Sequence, residues 1–131
     1  MAKGIKKYTT TDFISTTGHG KQTYAQAELL IRDLAEAADH HRDHNVLVDL
    51  RETEGSLSFL ELLTLSMELV QYQSAFRNKL AVVIPDREDR KEKMEFFKAG
   101  MDLVSIQFDY FTDYEKAVAW MSEEKDLSDE I

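Results

Sequence analysis

The chain has 131 residues and no cysteine, which excludes disulfides, thiolate metal sites and a cysteine nucleophile together. Its formal net charge of −9 argues against non-specific binding to nucleic-acid backbones, which requires clustered Lys and Arg. No stretch approaches the roughly 20 apolar residues that cross a bilayer, and the N-terminal lysines precede no apolar signal core, so a soluble cytoplasmic protein without a membrane span is expected.

Taken in chain order, "GIKKYTT" (4–10) and "TDFISTT" (11–17) read as weak strands, with a possible antiparallel hairpin between them. "GHGK" (18–21) lacks the spacing of a phosphate-cradling loop and reads as a flexible turn, although its position before a helix allows an anion contact. Thr23 and Gln26 form a capping box that opens a first helix, and Ala27, Leu30, Ile31, Leu34 and Ala38 give it one apolar stripe. "HHRDH" (40–44) ends that helix. His40 and His44 stand four apart, as a metal clamp would need, but no second ligand set completes a site, so neither a metal nor any other cofactor is expected.

"VLVDL" (46–50) and "LAVVI" (80–84) are nearly continuous apolar runs, the pattern of central parallel strands covered on both faces. Between them, Ser58 and Glu61 form a capping box before a second helix. That helix carries two apolar lines. Leu60, Leu63, Met67 and Val70 make one; Leu62, Leu65, Leu69, Tyr72 and Phe76 make the other. The second line is the candidate for an interface, including a homodimer, or for the lining of an apolar pocket. A third helix is expected to start near Pro85 and Asp86, with Met94, Phe97 and Met101 inward, the "REDRKEK" face in solvent and Gly100 as its stop. "LVSIQF" (103–108) then reads as an edge strand with Val104, Ile106 and Phe108 on one face. Thr112 and Glu115 suggest a capping box for a fourth helix bearing Tyr114, Ala117, Val118 and Met121.

Alternating strands and helices imply a single α/β domain over 1–121, with a mixed, mostly parallel sheet. Residues 122–131 carry five acids against Lys125 and read as a solvated tail. Acids and arginines at strand ends, Asp49, Arg51, Asp86 and Arg87, together with His19, are candidates for a ligand cleft along the sheet's carboxyl edge. No nucleophile, base and orienting group fall into order, so no catalytic residue is assigned and a non-enzymatic protein is expected.

The succession "VLVDL", serine-started helix, "LAVVI" and then "FDYFTDYEKAVAWM" resembles the SpoIIAA-like, or STAS-like, family, over about Lys6 to Met121. The resemblance implies the fold of anti-anti-sigma factors, and a regulatory or protein-binding role rather than catalysis. It also implies that Ser58 stands where those factors are phosphorylated; a phosphate on Ser58 or Ser56 would face the N-terminus of the second helix, where negative charge is well tolerated. The chain departs from their D-S-S-G-type motif, having Leu57, Ser58, Phe59 and Leu60 across the equivalent positions. Two functions are expected on these grounds: a module that binds a protein partner or itself, and a carrier or sensor for a small apolar or anionic ligand.

Overall fold

The computed structural model describes residues 13–41, 44–55 and 57–122. Its elements alternate: β1 (Phe13–Lys21), α1 (Tyr24–His40), β2 (Asn45–Glu54), α2 (Phe59–Val70), β3 (Leu80–Val83), α3 (Glu88–Leu103), β4 (Phe108–Phe111) and α4 (Tyr114–Ser122). The four strands form one sheet in the order β1-β2-β3-β4, and every neighbouring pair is parallel. The expected α/β class therefore holds, and the described part of the sheet is wholly parallel. The hairpin expected over 4–10 lies outside the described residues, as do Ser56 and the tail beyond Ser122. No described helix is long and apolar enough to cross a membrane.

Strand alternation distributes the core between two layers. Val46, Val48, Leu80, Val82 and Phe108 face α1, α2 and α3, where Leu34, Leu65, Leu69, Phe97 and Met101 meet them. Leu47, Ala81 and Val83 point the other way, against Ala117 and Met121 of α4. Double coverage is why β2 and β3 read as unbroken apolar runs. The end of α4 is tied to the amino ends of the two central strands, β2 and β3. Asn45 Nδ2 donates to the Met121 carbonyl at 2.9 Å and Lys79 Nζ to that of Trp120 at 2.7 Å, satisfying acceptors that a helix terminus leaves open.

Both capping boxes expected at Thr23 and Ser58 form. Thr23 Oγ1 accepts from Gln26 N–H at 3.2 Å and Ser58 Oγ from Glu61 N–H at 3.0 Å, with Gln26 and Glu61 reaching back to the cap backbones.

The C-terminal half corrects several expectations. Gly100 does not stop α3, which runs to Leu103. A Cβ at Gly100 would lie 3.1 Å from Ser66 Oγ, so the glycine lets α2 and α3 approach closely. The stop is Ser105, at φ 60°, followed by the Ile106 N–H donating to the Met101 carbonyl at 3.1 Å. This six-to-one bond satisfies an open carbonyl, and the apolar contact of buried Ile106 with Met101 accompanies it. Residues 103–107 are consequently a helix end and a turn, and the strand expected over 103–108 begins only at Phe108. Helix α3 starts at Glu88 after an N-cap residue, Arg87, whose side chain makes no capping bond. At α4, Asp113 rather than Thr112 caps, its carboxylate accepting from Glu115 N–H at 2.9 Å.

The ladder between β1 and β2 contains one irregularity. Thr17 pairs with Asp49 but His19 pairs with Glu52, so β2 contains one extra residue. The bulge shifts the alternation. It turns Thr53 toward α3, where Arg90 donates to its carbonyl oxygen at 3.3 Å and to its hydroxyl at 3.0 Å.

Candidate functional site

The residues expected to share a ligand cleft are paired locally. Asp49 and Arg51 hold each other: Arg51 Nε donates to Oδ1 at 2.9 Å, Nη2 to Oδ2 at 2.7 Å, and the Arg51 backbone N–H to Oδ1 at 3.1 Å. The Arg51 hydrogen bonds hold the Asp49 carboxyl below the usual carboxylate range against the opposing effect of burial. The Arg51 guanidinium also lies 5.3 Å from the Tyr114 ring centre, which places this pair on the α4 side of the sheet. Asp86 pairs with Lys91 at 2.7 Å, Arg87 with Asp89 at 2.9 Å and His19 with Glu52 at 2.9 Å. These are exposed contacts, the first two of them ion pairs of the kind that contribute little to stability. His19 stands near enough to the Asp49–Arg51 pair to contribute to the lowering of the Asp49 carboxyl, whereas Asp86 and Arg87 pair with Lys91 and Asp89 of α3. At the end of α1, His41 and His44 rings meet edge to face at 5.2 Å, and among the described residues no group of three or more acidic or histidine side chains could hold a metal.

The two apolar lines of α2 are assigned by the packing. Leu62, Leu65 and Leu69 are buried against the sheet; Tyr72 and Phe76, expected on the same line, fall past the helix end at Val70, Tyr72 half-buried and Phe76 buried in the same core. A contact surface made from them would require the core to open. The outward line is the other: Leu60 is 73 % exposed, Leu63 47 %, Met67 65 % and Val70 44 %. Phe59, at the start of the helix, stacks edge to face on Phe96 of α3 at 5.1 Å, and both rings are exposed. The result is a continuous apolar stripe, extended at its N-terminal end by two aromatic rings.

Beneath α2 lies a cavity of about 120 Å³, bordered by α1, the sheet and α3 and open to solvent at one side. Leu62, Leu65, Leu69 and Phe76 line it together with Leu30, Leu34, Val48, Met94 and Phe97. Half-buried Gln22, Gly55, Leu57 and Lys93 form its rim, just past the carboxyl ends of β1 and β2 and beside the first turns of α3. That is where open α/β folds place ligands.

Arg90 stands in the wall of this cavity and corrects the expectation of a solvated "REDRKEK" face. It is only 7 % exposed, so that segment is not uniformly in solvent. A signal for this exists in the sequence. Arg90, Met94, Phe97 and Met101 follow one another at helical spacing, so Arg90 begins the buried stripe.

A family model described as SpoIIAA-like matches residues 13–122. No curated protein and no solved structure matches the chain.

Proposed function

Because the chain belongs to the SpoIIAA-like family, we propose that it is a non-catalytic protein-interaction module whose contact surface is the outward stripe of α2. The carrying observation is the exposure of Leu60, Leu63, Met67 and Val70 at intervals of three, four and three residues. That spacing is the seam pattern by which one helix packs along another. A second copy of this chain is the proposed occupant, since a two-fold axis sets the seam against itself. From Leu60 to Val70 the seam is about 15 Å long, which suits a weak, reversible dimer rather than an obligate one. Sedimentation velocity over a wide concentration range tests this. The wild type should shift from monomer to dimer, and Met67→Lys should remain monomeric with an unchanged melting temperature. A wild type that stays monomeric throughout, or a variant that dimerises equally well, would overturn the proposal.

Phosphorylation at Ser58 is the regulatory refinement that the family resemblance adds. Ser58 is exposed, and a phosphate on its Oγ would replace the hydroxyl cap and stand beside Glu61. Intact mass of the protein isolated from its host, with Ser58→Ala as control, should reveal the added phosphate; a consistently unmodified mass would remove this role.

The cavity favours a second reading, that of a small-ligand carrier or sensor. Its walls are almost entirely apolar and its rim stands at the carboxyl edge of the sheet.

A further inference from the structure

An arginine buried without a carboxylate in ion-pair contact is unusual, because a desolvated charge is costly unless it is paired. Arg90 is such a residue. Among the described residues, no carboxylate lies within ion-pair distance of its guanidinium, and its hydrogen bonds run to the carbonyl and hydroxyl of Thr53 alone. Two of its five N–H donors are thus used, and three remain. The bulge in β2 holds the group in place by presenting both Thr53 oxygens to it. Removal from water also weakens the hold of Arg90 on its proton, and the positive charge of Arg87 adds to this against the opposing charge of Asp89.

The same side chain forms part of the cavity wall, and Lys93 supplies a second cation at the rim, where its Nζ lies 5.5 Å from the Phe59 ring centre. Arg90 and Lys93 are both lining residues of an otherwise apolar cavity, a composition that suits an amphipathic anion. Size narrows the class. The cavity, at about 120 Å³, is slightly smaller than the engineered apolar cavity of about 150 Å³ that accommodates benzene. The part of an apolar occupant that it holds is therefore about one ring or an alkyl segment of about six carbons.

We propose that the cavity under α2 binds a small monocarboxylate, with its apolar tail among Leu62, Leu65, Met94 and Phe97 and its carboxylate on the guanidinium of Arg90. Lys93 assists from the rim. The planar fork of arginine suits two parallel bonds to a carboxylate, which gives the ligand an orientation as well as a charge. This inference rests on the carrier reading of the cavity and adds to it the charge and size of the ligand.

Methyl-resolved NMR titrations with hexanoate, 1-hexanol and acetate test it on the whole chain. Hexanoate should shift the methyl signals of Leu62, Leu65 and Met94, and it should bind about tenfold or more tightly than hexanol, as a charged hydrogen-bonded pair predicts. Acetate should leave these signals unmoved. Arg90→Met keeps an unbranched stem and removes the charge; it should reduce hexanoate to the affinity of hexanol, whereas Arg90→Lys should retain part of the preference. Equal binding of hexanoate and hexanol by the wild type would overturn the carboxylate assignment while leaving an apolar carrier intact. Acetate binding as well as hexanoate would overturn the tail assignment. Failure of all three probes to move the cavity methyls would remove the carrier reading along with the inference. The wild-type comparison decides even if the Arg90 variants do not fold.

Discussion

Truncating one side chain on each face of α2, a leucine inside and a methionine outside, separates the two roles of the helix. Leu69→Ala removes three side-chain carbons from a position that is 2 % exposed. At about 0.8 kcal/mol per buried carbon, the transfer contribution alone is about 2.4 kcal/mol. The void adds to this, and leucine-to-alanine changes in packed cores cost about 2.7–5 kcal/mol in total. Leu69 already borders a cavity and is surrounded by the sheet and helices, so little collapse can occur and a loss of about 3–4 kcal/mol is expected. For a chain of this size that corresponds to a melting temperature lower by about 10–15 °C. Met67→Ala, two residues away at 65 % exposure, should change stability by less than about 0.5 kcal/mol. Urea unfolding followed by far-ultraviolet circular dichroism measures both. Equal costs, or a larger cost at Met67, would mean that α2 presents its other face to the sheet, and the assignment of seam and core would fall.

Two further predictions concern the cap and the buried acid. Ser58→Ala should cost about 1 kcal/mol in the same unfolding assay, because the Glu61 N–H loses its acceptor. Asp49 has its folded-state pKa lowered chiefly by the Arg51 hydrogen bonds. Its stabilising effect should therefore be complete above the unfolded carboxyl value of about 3.9 and disappear as pH falls through the lower folded value. Asp49→Asn should flatten the pH dependence of stability in that acid range, and an unchanged profile would show that the pair is not formed in solution.

Much of this architecture is legible in the sequence because its signals are local. The capping boxes at Thr23 and Ser58 act within four residues, and the runs at 46–50 and 80–84 carry their double burial in their composition. Signals that depend on distant partners are not legible in the same way. The two lines of α2 are equally apolar, and only the crossover between β2 and β3 decides which one meets the sheet. Gly100 looks like a helix stop until Ser66 is seen against it, and a serine at positive φ ends the helix instead. The charged groups expected at the sheet's carboxyl edge each find a partner nearby, whether across Asp49 and Arg51 or along the start of α3, and such pairings are not legible from the strand ends alone. Arg90 is visible as the first member of a helical stripe, but its charge argues for solvent. Only the bulge in β2 explains how a guanidinium is held inside.

Hydrogen exchange at low and high protein concentration reads out whether the outward stripe of α2 is the contact surface. Amides of residues 59–70 should exchange more slowly in the concentrated sample, while the outermost described strands, Phe13–Lys21 and Phe108–Phe111, should exchange at the same rates in both. Concentration-dependent protection at either of these strands, with none along α2, would place the contact there and remove the α2 seam.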